Sequence, residues 1–218
     1  FLVMSDHGFK PFNRGVNLNT WLYQNGYLAL KENTDGSAKW LMDVDWSKTR
    51  AYQVGLGGLY LNIKGREAKG IVEPGDAADA LLRELIAKLD GLTDEEKKET
   101  GINKVWAAKD IYTGPYVGNA PDLLIGYNVG YRAGWDGTTG VITDRVFSDN
   151  IKAWSGDHCM DPRKVPGVLF TNFKLESAPP SITDIAPTVL DLLGVPAPKY
   201  MDGETLMSPT VNEAIYGG

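Results

Sequence analysis

Cysteine, histidine and long apolar runs are what this sequence has least of. Cys159 is the single cysteine among 218 residues. It excludes an internal disulfide framework and fits a reducing compartment, so the expectation is a cytoplasmic protein. No apolar run approaches the roughly 18 residues that span a bilayer, and no membrane segment is expected. Positive charge is also in deficit: 22 Lys and Arg stand against 28 Asp and Glu, a net charge of −6. An acidic chain repels phosphate backbones unless it carries a local basic patch, which argues against a nucleic-acid partner. HExxH, CxxC and GxSxG spacings are missing, and Gly55-x-Gly57-Gly58 lacks the Lys-Ser/Thr that completes a phosphate-cradling loop. What remains is an ordinary globular composition, 43% hydrophobic and 23% charged, enough for one domain or one and a half.

Phe1-Leu2-Val3-Met4 is an apolar run that reads as a buried strand, ending in the polar turn Ser5-Asp6-His7-Gly8. It has no basic n-region or cleavage-site pattern, so it is not a signal peptide. A chain that starts inside a core strand reads as a fragment with its missing part upstream. Asn17 caps a short helix carrying Leu18, Trp21 and Leu22, stopped by Gly26. Residues 31–50 lack a period, and 52–63 read as one or two strands turning at Gly57-Gly58. Asp76 opens a helix with Leu81, Leu82, Leu85 and Leu89 at helical spacing, and Gly91 ends it. Thr93–Glu99 reads as a solvated charge run. Residues 104–108, 122–127 and 168–171 read as strands, and 128–150 show no period. Ser181 or Thr183 caps a last helix with Ile185, Val189, Leu192 and Leu193 on one face. Strands alternating with amphipathic helices predict an α/β fold with a largely parallel sheet flanked by helices.

Both histidines directly follow an aspartate, in Asp6-His7 and Asp157-His158, and both pairs sit in turns of small residues. In open α/β sheets, ligands bind at the carboxyl ends of strands. A carboxylate oxygen with an imidazole nitrogen is a donor pair suited to zinc or manganese. Each pair also reads as an ordinary surface turn. Cys159 reads as a soft ligand or nucleophile, or as a small buried residue. Arg50, Arg66 and Arg132 are candidates to clamp a substrate phosphate.

Phe1–Phe9, with its Ser-Asp-His-Gly turn, resembles the metal-binding strand and turn of the alkaline phosphatase superfamily. Ile182-Thr-Asp-Ile-Ala-Pro-Thr-Val-Leu-Asp-Leu-Leu-Gly-Val-Pro196 with Tyr200-Met-Asp-Gly203 resembles the closing helix of its type I phosphodiesterase and nucleotide pyrophosphatase branch. Gly15–Leu22, Leu56–Asn62 with Gly65-Arg66-Glu67, and Ala153–His158 resemble the phosphohydrolase and phosphomutase group of that branch.

The resemblance implies a metal-dependent phosphoryl-transfer enzyme with two divalent ions, Zn or Mn, acting on a phosphorylated small molecule. Two ions roughly 4 Å apart can clamp the attacking and leaving oxygens. Carried over residue by residue, Asp6 and His7 match ligands of one ion and His158 the late histidine of the other. A first-strand aspartate, a Thr or Ser nucleophile and an Asp/His pair have no match here and are expected in a missing N-terminal half. Cys159 stands where many relatives have Gly, which leaves Asp157 an open question as a further ligand. The implied organisation is a metal-binding α/β core from residues 1–40 and 150–218, with 41–149 as an accessory segment over the mouth of the site. Phosphomutase activity is the alternative within the superfamily. A catalytically silent structural module is the alternative outside it, because the chain alone offers two ligands to one ion and one to the other.

Overall fold

The computed structural model describes residues 1–175 and 179–207. The described residues divide into two units, one formed by residues 1–8 with those from 166 onward and the other by residues 9–165.

The first strand, β1, Leu2–Ser5, belongs to the smaller unit. The larger unit opens with β2, Lys10–Val16, which leads directly into α1, Leu18–Gln24. The Asn17 side chain accepts from the N–H of Thr20, and the helix buries Leu18, Trp21 and Leu22. This is the cap and the apolar face that the spacing predicts. β3, Ala51–Gln53, and β4, Gly58–Leu61, form an antiparallel hairpin. Gly55, at φ +78°, sits in its turn in a conformation that glycine adopts at little cost. α2, Asp76–Leu89, buries Ala78, Leu81, Leu82, Leu85 and Leu89 and ends before Gly91.

β5, Thr93–Asp94, and β6, Glu99–Thr100, form a short hairpin. Residues 95–99 are exposed, as the solvated-run reading of Thr93–Glu99 expects, but the run is a hairpin and not a helix end or loop, and Asp94 turns inward. Asp94 is buried because the buried Arg14 of β2 donates to it (Nε–Oδ2 2.8 Å) and also to Asp149 and Glu96. One carboxylate of a charge run can turn inward when a fixed guanidinium answers it.

β7, Ile102–Ala107, is followed by the short α3, Ala108–Ile111, and by β8, Leu123–Tyr127. β7 and β8 pair antiparallel, and the four-stranded sheet runs β3-β4-β8-β7. The region without period holds β9, Gly130–Ala133, α4, Trp135–Thr138, and β10, Phe147–Asp149. β11 is Gly156–Asp157. β2 organises a second sheet, pairing antiparallel with β10 and β11 and parallel with β9. The core of this unit gathers Leu59, Leu61, Leu85, Leu89, Ile102, Leu123 and Tyr127, all without measurable exposure.

In the smaller unit β1 pairs antiparallel with β12, Val168–Thr171. A single 3-10 turn at Ile182–Asp184 then enters α5, Ile185–Leu192. Ser181 and Asp184 form a capping box at its start.

Two expectations are corrected. The sheets are mostly antiparallel, and among the described strand pairs only β2 with β9 runs parallel. The alternation of strands and helices misled because α2 does not return the chain beside β4. It leads to the β5–β6 hairpin, and then β7 pairs with β8. The apolar run at the start is a strand, but Val3 is 56% and Phe1 74% exposed. β1 has one partner strand among the described residues, and apolar composition does not specify how many neighbours a strand finds.

Candidate metal and phosphate site

In the smaller unit, Asp6 and His7 follow immediately on the end of β1. The Ser5 hydroxyl donates to the His7 carbonyl (2.8 Å) and closes the turn. His7 Nδ1 lies 3.0 Å from the Gly8 carbonyl oxygen. A carbonyl can only accept, so Nδ1 carries the proton in that bond and Nε2 is the nitrogen able to ligate. Nε2 lies 3.7 Å from Asp6 Oδ1. Two ligand atoms each about 2.0–2.2 Å from one tetrahedral zinc are about 3.3–3.6 Å apart, so this pair fits a shared cation with a small adjustment. Gly167 backs the turn: a Cβ there would collide with the Ser5 carbonyl oxygen and come 2.9 Å from that of Asp6. A cleft of about 270 Å³ opens beside Ser5, Asp6, Gly167, Ser181 and Ile185.

In the larger unit, His158 follows β11. Asp157, His158 and Cys159 offer donor atoms all within 4.8 Å of one another. The carboxylate of Asp157 is already engaged. Its Oδ1 accepts from the N–H of His158 (2.7 Å) and of Cys159 (3.0 Å). Its Oδ2 accepts from Trp154 Nε1 (3.2 Å) and lies 3.1 Å from Arg132 Nε. A carboxylate has about four lone-pair sites, so little capacity is left for a metal. Burial pushes the Asp157 pKa up, but the N–H groups of Cys159 and His158, the Cys159 thiol and the charge of Arg132 together outweigh it, and the net direction is down. The Cys159 thiol is pushed up to about 11 by burial and by Asp157. At neutral pH it is a protonated thiol, a weak nucleophile and a poor ligand. His158 is the donor of this cluster best suited to an ion, with its ring 42% exposed and the Phe9 ring tilted against it at 5.5 Å.

The three arginines differ in setting. Arg50 is exposed and lies over the Tyr27 ring at 4.8 Å. Arg66 is held by Asp122, Glu67 and the Leu61 carbonyl. Arg132, on β9, is 2% exposed, packed between the rings of Phe12 and Trp135 at 4.3 and 4.2 Å. Sequence reasoning missed this sandwich, because Phe12, Arg132 and Trp135 lie on three separate elements that no local spacing relates.

A model of the type I phosphodiesterase/nucleotide pyrophosphatase family matches residues 1–142. The chain belongs to that family. The family in turn is part of the alkaline phosphatase superfamily. The matched residues include the Asp6-His7 turn, whereas His158 and α5 lie beyond them. No curated protein and no solved structure gave a match. Membership in this family suggests phosphoryl-transfer hydrolysis of a phosphorylated substrate. No helix among the described residues is long and apolar enough to cross a membrane.

Proposed function

We propose that the chain is part of a metal-dependent phosphohydrolase or phosphodiesterase. Asp6 and His7 hold one divalent ion, zinc or manganese, and His158 contributes to a second. The observation that carries this reading is the Asp6–His7 turn, where an imidazole oriented by the Gly8 carbonyl presents Nε2 3.7 Å from a carboxylate oxygen. Bound ions would supply Lewis acidity, lowering the pKa of an attacking hydroxyl and neutralising the non-bridging phosphate oxygens.

The chain's own residues hold the ligands in place. Ser5 and Gly8 fix the turn around His7, and Gly167 leaves the room the turn needs. Asp6 contributes one negative charge and the neutral His7 imidazole none, so a divalent ion held by this turn stays cationic enough to attract a phosphate. Arg50 has an exposed guanidinium for a substrate phosphate, whereas Arg66 is occupied by two carboxylates. The covalent nucleophile that the family resemblance implies is expected from a segment outside residues 1–218.

The test is turnover of a chromogenic phosphodiester with Zn²⁺ or Mn²⁺, by the natural full-length polypeptide and by residues 1–218. His7→Ala should lower kcat/KM of the full-length protein at least about 100-fold and reduce its bound metal, as loss of a direct ligand does. Residues 1–218 should turn over at background. Turnover by residues 1–218 that vanishes in His7→Ala would place the nucleophile at Ser5, Cys159 or a bound water. Full activity in His7→Ala would overturn the reading.

A further inference from the structure

We infer that Arg132 and Asp157 are positioning residues for His158, acting through the backbone turn that carries its imidazole. The inference rests on the reading of His158 as a metal ligand.

A buried guanidinium is a costly feature, and this one is unusually placed. Its Nε and Nη2 are buried and make no hydrogen bond among the described residues. Nε approaches Asp157 Oδ2 at 3.1 Å without hydrogen-bond alignment. What holds the cation is its packing between Phe12 and Trp135, within the range where a ring face attracts a guanidinium. Fold stability alone would be served as well by apolar side chains at both positions, since replacing a buried ion pair as a whole by well-packed apolar groups is often neutral or stabilising.

The arrangement has a further consequence. Arg132 sets a positive charge against the carboxylate of Asp157, itself 5% exposed. That carboxylate accepts from both the His158 and the Cys159 N–H groups through one oxygen while the other accepts from Trp154. Those bonds set the backbone of residues 157–159, and with it the direction of the His158 ring. The engaged carboxylate therefore serves as the support of a ligand, with Arg132 as its counter-charge.

The chain has only two histidines, so imidazole nitrogen signals in an ¹⁵N-labelled sample are assigned by one variant, His7→Ala. Without metal, Arg132→Met and Asp157→Asn are each expected to shift and broaden the His158 signals and leave those of His7 in place. With Zn²⁺ added, both should raise the concentration at which the His158 signals respond by about 10- to 100-fold, as loss of a supporting partner does. Arg14→Met removes an equally buried arginine with a separate set of carboxylates and should leave His158 unmoved. His158 signals unchanged in both variants, or moved as much by Arg14→Met, would overturn the inference. If Arg132→Met does not fold, Asp157→Asn decides by the same signals. The metal-free signals decide whether Arg132 and Asp157 position His158, and its role as a ligand is decided separately by whether His158→Ala lowers the metal bound by the full-length protein.

Discussion

Cys159 shows how far neighbours can change one residue. Its sulfur is half-buried beside Asp157 and lines an apolar cavity of about 680 Å³ with Trp106, Leu124 and Met160. Burial and the adjacent carboxylate raise its pKa from 9.0 to about 11. A rise of that size leaves about 100-fold less thiolate at neutral pH. Iodoacetamide should therefore label the folded chain about 100-fold more slowly than the urea-unfolded chain near neutral pH, with the folded rate rising toward pH 11. Equal rates in the two states would show that the carboxylate does not govern this thiol. The same neighbour explains which part of the site could be read in advance. The two Asp-His pairs stand out through the scarcity of histidine. That Asp157 spends its oxygens on backbone N–H groups, Trp154 and Arg132 is a matter of geometry among residues 132, 154 and 157–159, which no local spacing encodes.

The bounds of α1 and α2 were legible from the apolar period, with a side-chain cap at α1 and none at α2. α1 and α2 begin at Asn17 and Asp76 and bury apolar faces that repeat every three to four residues, whereas α5 follows the Ser181 box but buries Pro187 and Thr188 and leaves Val189 39% and Leu193 70% exposed, against the apolar face expected of it. Strand partners were not legible, because pairing joins residues far apart in sequence: Arg14 meets Asp94 eighty positions away, which turned a charged stretch into a hairpin. α2 provides the test of this level. Leu85 has no measurable exposure and lies at the centre of the helix's buried face. Leu85→Ala should destabilise the chain by about 2–5 kcal/mol, the cost of removing three buried carbons and leaving a cavity. Urea unfolding followed by circular dichroism would measure it, and a loss under about 1 kcal/mol would mean that α2 is not part of the cooperative core.

At the scale of the whole molecule, acid sensitivity follows from buried carboxylates. Asp161 is fully buried, and hydrogen bonds from the Arg163 side chain, opposed by burial and helped by Asn103, hold its pKa at about 2 against an ordinary 3.8. A depressed folded pKa gives stability that is fully present above pH 3.8 and is lost as the pH falls from there toward about 2. Asp161→Asn should lower stability at neutral pH and flatten its decline across that window. Thermal melts between pH 2 and 6 would show it, and a decline of unchanged steepness would place the acid response in other groups.

The guanidinium held between Phe12 and Trp135 also constrains how the sequence can drift. Loss of Asp157 alone strands a buried cation, and loss of Arg132 alone strands a buried anion. Neither position has a neutral single step away from its present residue. In related chains, positions 132 and 157 should change together or stay fixed together, with the two aromatic positions retained wherever the arginine is retained.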